Sequence, residues 1–202
     1  MTGAQELCRY LQQQGRLHSP LLIKSFNCVD RNDFVPPAFQ DEAYADYPLS
    51  IGKGQTISQP STVALMLELL ELQEDDTVLD IGCGSGWTTA LLACTVRNGS
   101  VTALERHEAL LAFAASNLEK YHFDNVVLKQ ASNELGCPGE TFDKILVSAA
   151  AQELPLSLVK QLRTGGIMVI PIQNSIAIIH KKEGDAFEQE LLHGFAFVPL
   201  IY

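Results

Sequence analysis

The run of residues best suited to holding a ligand is a glycine-rich segment at positions 78–87, which reads VLDIGCGSGW. Its first half has the pattern of a short buried strand, and a helix is predicted from Gly86 onward. Glycines let a backbone turn tightly and let a ligand approach it closely. In an open α/β sheet, ligands bind at the carboxyl ends of the strands. We therefore expect a ligand site formed by Asp80, Gly82, Cys83, Gly84 and Gly86.

The spacing of these glycines indicates the class of ligand. A dinucleotide-binding loop would need its third glycine at position 87, where this chain has Trp87. A carboxylate at Asp80 disfavours a phosphate and favours a cationic ligand. Glu105 ends the next predicted strand, 19 residues after Gly86, where an acidic residue accepts hydrogen bonds from ribose hydroxyls. A plain strand-to-helix turn with a surface Glu105 is the alternative interpretation.

This D-x-G-x-G-x-G pattern resembles the donor loop of S-adenosylmethionine-dependent methyltransferases. The resemblance implies S-adenosyl-L-methionine as the cofactor and S-adenosyl-L-homocysteine as its product. It also implies that Glu105 and the adjacent Arg106 lie beside the donor.

Strands and helices alternate around the loop, which predicts an α/β fold. We expect a doubly wound, mostly parallel seven-stranded sheet of the Rossmann-like methyltransferase type, closed by an antiparallel C-terminal strand pair. The predicted strands are 77–81, 101–105, 125–129, 142–147, 167–170, 175–180 and 195–200. The predicted helices are 4–14, 20–29, 60–72, 86–96, 107–120 and 156–162. Residues 30–58 show no periodicity and are expected to form an ordered loop.

Composition narrows the class of protein. The 202 residues carry 14 Lys and Arg against 24 Asp and Glu, for a net charge of −10, which argues against a nucleic-acid partner. Five cysteines without a C-x-x-C pair, and five histidines without ligand spacing, predict no metal site. No signal peptide or membrane span is predicted, so the expected location is cytoplasmic. We expect one domain over 1–202, with an N-terminal flank at 1–72 and a donor-binding core at 73–202.

The whole chain also resembles the protein-L-isoaspartate O-methyltransferases. The most specific match is IGKGQTISQP at positions 51–60. Further matches follow in family order: FVP at 34–36, AYAD at 43–46, AAA at 149–151, GG at 165–166 and FVPL at 197–200. The family methylates the free carboxylate of L-isoaspartyl residues in damaged proteins and peptides, which are therefore the expected partners. We expect this chain to act on them as a monomer.

The resemblance also implies the residues that contact the substrate. Ser58 is the expected catalytic residue, because its hydroxyl would orient the substrate carboxylate. A carboxylate is ionised at neutral pH and needs no general base. An extended peptide is expected to add as a strand against Val198 and Pro199. The remaining expected substrate contacts are Gln55, Thr56, Ile57 and Gln59. Alternatively, Ser58 caps the helix that begins near Pro60.

Two segments depart from the family pattern, and one of them, at positions 171–173 (PIQ), lacks a usual glycine. The other bears on the donor. Where family members carry Gly-Asp-Gly, with the acidic residue at the adenine, this chain reads QASNELG at positions 130–136. Ser132 and Asn133 are the expected replacements at the adenine. Two other functions stay open: methylation of another carboxylate by the same fold, and a donor-binding or protein-binding module with weakened catalysis.

Overall fold

The computed structural model describes residues 3–201, and within them the chain forms a helical N-terminal part followed by an α/β sheet. The helices are α1 (Gly3–Gln13), α2 (Pro20–Cys28), α3 (Pro60–Leu69), α4 (Trp87–Thr95), α5 (Glu108–Glu119) and α6 (Leu156–Val159). The strands are β1 (Leu49–Gly52), β2 (Gln55–Ile57), β3 (Thr77–Ile81), β4 (Ser100–Glu105), β5 (Val126–Gln130), β6 (Phe142–Val147), β7 (Leu162–Ile172), β8 (Ser175–Lys181) and β9 (Phe187–His193). None of the helices in this range is long and apolar enough to cross a membrane.

Seven of the strands form one sheet in the order β5-β4-β3-β6-β7-β8-β9. The pairs from β5 to β7 are parallel, and β8 and β9 add antiparallel to the edge at β7. In register, Asp80 lies opposite Ala103 of β4 and Leu146 of β6. The predicted doubly wound fold is confirmed. Its parallel strands all end at the same edge of the sheet.

The position of the last strand differs from the prediction. The strand that pairs with β8 is β9, at Phe187–His193, whereas residues 195–200 make only an isolated bridge between Pro199 and Ala150. Six of the seven residues in β9 are exposed, because it lies at the sheet edge and buries neither face. Its acidic, weakly alternating sequence therefore carries no strand signal.

The aperiodic segment 30–58 is ordered and contains structure that the sequence did not predict. It holds two 3₁₀-helices, Arg31–Phe34 and Pro37–Glu42, and the antiparallel hairpin of β1 and β2. The hairpin turns through Gly52, Lys53 and Gly54, all at positive φ. Strands of three and four residues are too short to show a period, which is why the segment reads as a loop.

The N-terminal part and the sheet share one apolar core. The largest buried cluster joins Leu7 and Phe26 of the N-terminal helices to Leu67 of α3, Leu91 of α4 and Val169 of β7. α2 and α4 pack side by side, and the ring of Phe26 meets Trp87 edge to face at 5.8 Å. Phe34, Leu49 and Ile57 belong to the same cluster, so segment 30–58 packs on this core, and Ile51 lies against Gly84 at the carboxyl edge of the sheet.

Candidate active site

The carboxyl edge of the sheet brings the predicted ligand residues together. β3 ends at Ile81 and continues into the glycine loop, while β4 ends at Glu105 beside it. The loop is held to β4 because the N–H groups of Gly82 and Cys83 both donate to the Leu104 carbonyl, at 2.8 and 3.1 Å. These contacts fix the loop next to the acidic end of β4.

Two of the loop glycines are required by geometry. Gly86 has φ +90° immediately before α4, and a Cβ there would lie 3.2 Å from the Cβ of Ala114. Gly84 has φ +54°, and a Cβ there would lie 3.0 Å from Ile51 of the β1 strand. Side chains at these positions would therefore strain the backbone and push apart the elements packed on the loop.

Asp80 lies under the loop and is fully buried. Its Oδ2 accepts hydrogen bonds from the hydroxyls of Thr89, at 2.7 Å, and Thr88, at 3.2 Å. Its Oδ1 is buried with no partner among residues 3–201. Burial raises the pKa of Asp80 to about 6, opposed by these two hydrogen bonds. Oδ1 is thus an unpaired acceptor, but Asp80 lines neither of the two cavities at this edge of the sheet, so its expected direct contact with the donor is not supported.

Glu105 is also buried, and its carboxylate bridges two backbone groups. Oε2 accepts from the Gly84 N–H at 3.1 Å, and Oε1 accepts from the His107 N–H at 2.8 Å. A carboxylate can accept about four hydrogen bonds, so both oxygens keep capacity for a ligand. The sequence placed Glu105 correctly beside the loop, but its bond to Gly84 follows only from the fold.

Two cavities meet at this edge and share Gln55, Gly82, Glu105 and Ala149 in their walls. The first has a volume of about 520 Å³ and is lined by Cys83, Gly84, Trp87 and Ile57, among others. The Cys83 thiol is buried there, and burial raises its pKa.

The second cavity, of about 600 Å³, lies on the far side of Glu105. Arg106 lines it, with the apolar side chains of Leu104 and Leu135. Gln161 holds the wall at 135–137, since its amide donates to the Leu135 carbonyl at 2.9 Å and accepts from the Cys137 N–H at 2.7 Å. A flat, largely apolar ligand group suits this space.

The segment at 130–136 that departs from the family pattern borders the second cavity. Ser132 lines it, although the hydroxyl already exchanges hydrogen bonds of 3.1 Å with the backbone of Glu134. Asn133 is exposed and is not part of the wall, so its expected contact is not supported. Glu134, which was not predicted from the sequence, lines the cavity, and its carboxylate accepts no hydrogen bond within the described range.

An open groove adjoins the first cavity, and Ser58 lies in the wall of both. The walls of the cavity and the groove also share Thr56, Ser148 and Val198. Gln59 lines the groove but not the cavity. Ser148 directly follows β6 and was not predicted. Its position at the carboxyl edge of a central strand is the signal that could have identified it.

Ser58 does not cap α3, so the alternative interpretation of this residue is wrong. The N-cap position is Gln59, and the Ser61 N–H is bonded by Asp46 Oδ1 at 2.9 Å. Across residues 3–201, the Ser58 hydroxyl has no hydrogen-bond partner, whereas its carbonyl accepts from Arg31 at 3.1 Å. The hydroxyl is therefore free to bind a ligand.

The C-terminal segment crosses the site. Ala150 donates to the Val198 carbonyl and accepts from the Leu200 N–H, each at 2.8 Å. Val198 reaches the groove, but Pro199 lines the second cavity instead, so the expected peptide contact of Pro199 is not supported. Arg16, which the sequence did not single out, also lines the groove.

Nearly the whole chain is similar to known proteins. A family model described as protein-L-isoaspartate(D-aspartate) O-methyltransferase matches residues 2–202. The chain belongs to that family. Protein-L-isoaspartate O-methyltransferases of Petrotoga mobilis and Aliivibrio salmonicida are 45% and 41% identical, over 89% and 96% of this chain and 86% and 94% of theirs.

Solved structures of the family agree with this assignment. A Plasmodium falciparum chain assigned as a protein-L-isoaspartate O-methyltransferase, solved with S-adenosyl-L-homocysteine, has a TM-score of 0.86 at 26% identity. The match covers 99% of both chains. The family predicted from the sequence is confirmed, and with it the class of enzyme and donor.

Proposed function

We propose that this protein transfers a methyl group from S-adenosyl-L-methionine to the free carboxylate of L-isoaspartyl residues in proteins and peptides. The observation that carries the proposal is the placement of Ser58. Its unpaired hydroxyl stands where the cavity beside the glycine loop opens into the groove. A substrate carboxylate bound there would face a donor bound by the loop.

The residues around the loop fit this donor. Asp80 is buried beneath the loop and lines neither cavity, but its negative charge would favour a cationic amino acid portion bound above it. Glu105 has acceptor capacity for ribose hydroxyls, and the apolar walls at Leu104 and Leu135 suit an adenine ring. When bound, the donor supplies an electrophilic methyl group on a sulfonium.

The protein's part in the reaction is to bind and align. The substrate carboxylate is already ionised, so no residue has to remove a proton from it. Ser58 would donate a hydrogen bond to one carboxylate oxygen and leave the other directed at the methyl group. Alignment of this kind, together with exclusion of water from the half-buried junction, lowers the barrier.

The peptide would run along the C-terminal segment. Because Val198 and Leu200 direct their backbone groups to Ala150, the alternating groups of Phe197 face the other way. Phe197 has no backbone hydrogen bond among residues 3–201, so both its N–H and C=O are open to an added strand. Backbone recognition suits an enzyme that acts on damage in many sequence contexts.

A paired-peptide assay tests the proposal. Two peptides that differ only by isoaspartate or aspartate at one position are incubated with labelled donor. We expect methyl incorporation into the isoaspartyl peptide alone. Equal labelling would favour the alternative of methylation at another carboxylate. No labelling together with calorimetric binding of S-adenosyl-L-homocysteine would favour the catalytically weakened module.

We also propose that the chain is a monomeric, cytoplasmic, single-domain enzyme. The shared core of the N-terminal flank and the sheet supports a single domain. Light scattering on the eluting protein tests the monomer, and a dimer mass would refute it.

A further inference from the structure

Arg31 is a buried arginine to which the sequence assigned no role. It opens the first 3₁₀-helix of segment 30–58 and is 1% exposed. No carboxylate lies within ion-pair distance in the part of the chain that the structure describes, and its Nε has no partner there. Burial lowers the pKa of Arg31 to about 10, so it stays charged at neutral pH. A buried charge without an ion pair is costly.

One side of the guanidinium holds the backbone of the segment that carries Ser58. Nη1 donates to the Ala43 carbonyl, and Nη2 donates to the carbonyls of Tyr47, at 3.4 Å, and Ser58, at 3.1 Å. Three points up to 15 residues apart in sequence are thereby tied to one rigid, planar group. Ser58 is the last of them and the closest to the donor cavity.

The other contact of the guanidinium is the floor of the donor cavity. The Arg31 Cζ lies 5.2 Å from the ring centroid of Trp87, within the range of a cation–π interaction. Trp87 begins α4 directly after the glycine loop and lines the first cavity. Arg31 therefore spans the distance between the donor loop and the carbonyl of Ser58.

We propose that Arg31 is a positioning residue for methyl transfer, which fixes Ser58 relative to the donor loop through Trp87. This inference rests on the proposed function. Methyl transfer depends on alignment, and a displacement of about 1 Å at a reacting group can reduce the rate about a hundredfold. Neither the donor nor the peptide needs to touch Arg31 for this role.

A double-mutant cycle tests the role, with Arg31→Lys, Ser58→Ala and the combined variant. Lysine keeps a cation near the Trp87 ring but lacks the planar fork that reaches three carbonyls. We expect Arg31→Lys to lower kcat for an isoaspartyl peptide about tenfold or more, with the Kd for S-adenosyl-L-homocysteine changed less than twofold. In the Ser58→Ala background, the same substitution should change kcat less than twofold, since it acts through Ser58.

The controls separate positioning from stability. Tyr44→Phe removes a 2.8 Å bond to Asp30 in the same segment without touching Ser58, and should lower the melting temperature while leaving kcat unchanged. Trp87 is the only tryptophan, so a peptide-induced change in its fluorescence, lost in Arg31→Lys, reports the coupling even if activity is low. Equal losses of kcat in both Ser58 backgrounds, or unaltered kcat, would overturn the role. Inactivity of the unsubstituted protein would instead refute the proposed function.

Discussion

The carboxylate of Glu105 accepts a 3.1 Å hydrogen bond from the backbone N–H of Gly84, so the end of β4 holds the glycine loop in place. The other oxygen accepts from the His107 N–H at 2.8 Å and fixes the start of α5. One side chain therefore shapes the loop and faces both cavities of the donor site.

Glu105→Gln should weaken donor binding. The amide has a single acceptor oxygen, so one of the two backbone N–H groups loses its partner and the ribose loses a charged acceptor. Hydrogen bonds to charged groups contribute about 1.5–3 kcal/mol, which predicts about a tenfold to hundredfold rise in the Kd for S-adenosyl-L-homocysteine by calorimetry. Glu108→Gln, an exposed change in the first turn of α5, is the control. Unaltered affinity in a folded Glu105→Gln protein would contradict the contact.

Asp80 should make the stability of the donor-free protein depend on pH. Its pKa is raised by burial to about 6, so the folded state holds the proton more tightly than the unfolded chain. The contribution of protonated Asp80 to the free energy of unfolding is complete below about pH 4. It is lost as pH rises through about 6, and the total loss is about 3 kcal/mol. The Asp80→Asn side chain cannot ionise, so it does not lose this contribution. The free energy of unfolding of Asp80→Asn, measured in urea, should therefore rise relative to that of the unsubstituted protein as pH increases from 5 to 7.5.

A second carboxylate supplies the control for this measurement. Burial opposes ionisation of Asp143, but hydrogen bonds from the Thr77 N–H and Arg163 outweigh it and lower its pKa below the usual value. Asp143 is therefore ionised throughout the interval from pH 5 to 7.5. The effect of Asp143→Asn on stability should be constant there, while a constant effect of Asp80→Asn would refute the pH dependence.

Ser58→Ala should lower kcat about tenfold, the cost of about one orienting hydrogen bond. The Kd for S-adenosyl-L-homocysteine should not change, because the hydroxyl faces the junction with the groove. Ser61→Ala is a matched control, since Ser61 lines the groove but not the donor cavity. Single-turnover rates of both variants test the role, and equal rates for Ser58→Ala and the unsubstituted protein would refute it.

The parts of the fold that show a clear period were predictable, and the parts that frame the substrate were not. β3, β4 and β6 bury both faces and alternate with helices, so their residues already indicate a parallel sheet. By contrast, the Phe195–Leu200 run is apolar because it lines the site and packs on the core, and not because it forms a strand. Apolar content alone does not separate these two causes.

The same limit applies to the site. Asp80 and Glu105 were identified because a spacing rule relates them to the loop. Arg16 and Glu134 reach the site from two separate segments, and neither carries a local pattern that distinguishes it from a surface residue. Their contribution depends on long-range packing, which a single sequence does not display.

We predict that Glu134 contacts the adenine in place of the acidic residue that the family usually has there. It lines the second cavity with an unpaired carboxylate, and an exocyclic amine is a donor that such a group accepts. We expect Glu134→Gln to raise the Kd for S-adenosyl-L-homocysteine about threefold to tenfold. The purine analogue with hydrogen in place of the exocyclic amine should bind both proteins equally. Glu140→Gln, a change at an exposed ion pair with Lys129, is the control. Equal losses with both ligands would contradict the adenine contact.

Arg16 should give the groove a preference for acidic peptides, although the protein carries a net charge of −10. It is the one charged residue that the structure places in the groove wall, and its side chain makes no ion pair within residues 3–201. Its backbone is fixed, because its N–H donates to the Leu11 carbonyl at 2.9 Å and Glu68 holds the following turn through the N–H groups of His18 and Ser19. A peptide carboxylate near the isoaspartyl residue would meet this cation.

Arg16→Gln should raise KM about threefold to tenfold for isoaspartyl peptides with a flanking glutamate, and leave KM for the glutamine-flanked peptides unchanged. The glutamate is placed in turn at each position on both sides of the isoaspartyl residue, in peptides with amidated and with free C-termini. Comparing their KM values shows whether Arg16 binds a side-chain carboxylate or the C-terminal carboxylate. Arg97→Gln removes an arginine that pairs with Glu74 away from the groove, and should alter neither KM. Added salt should reduce the preference of the unsubstituted protein, because the guanidinium is exposed. If the Arg16→Gln protein kept the preference for glutamate-flanked peptides, groups other than Arg16 would be responsible for that preference. The wall at Arg16 would then contact the peptide without selecting its charge.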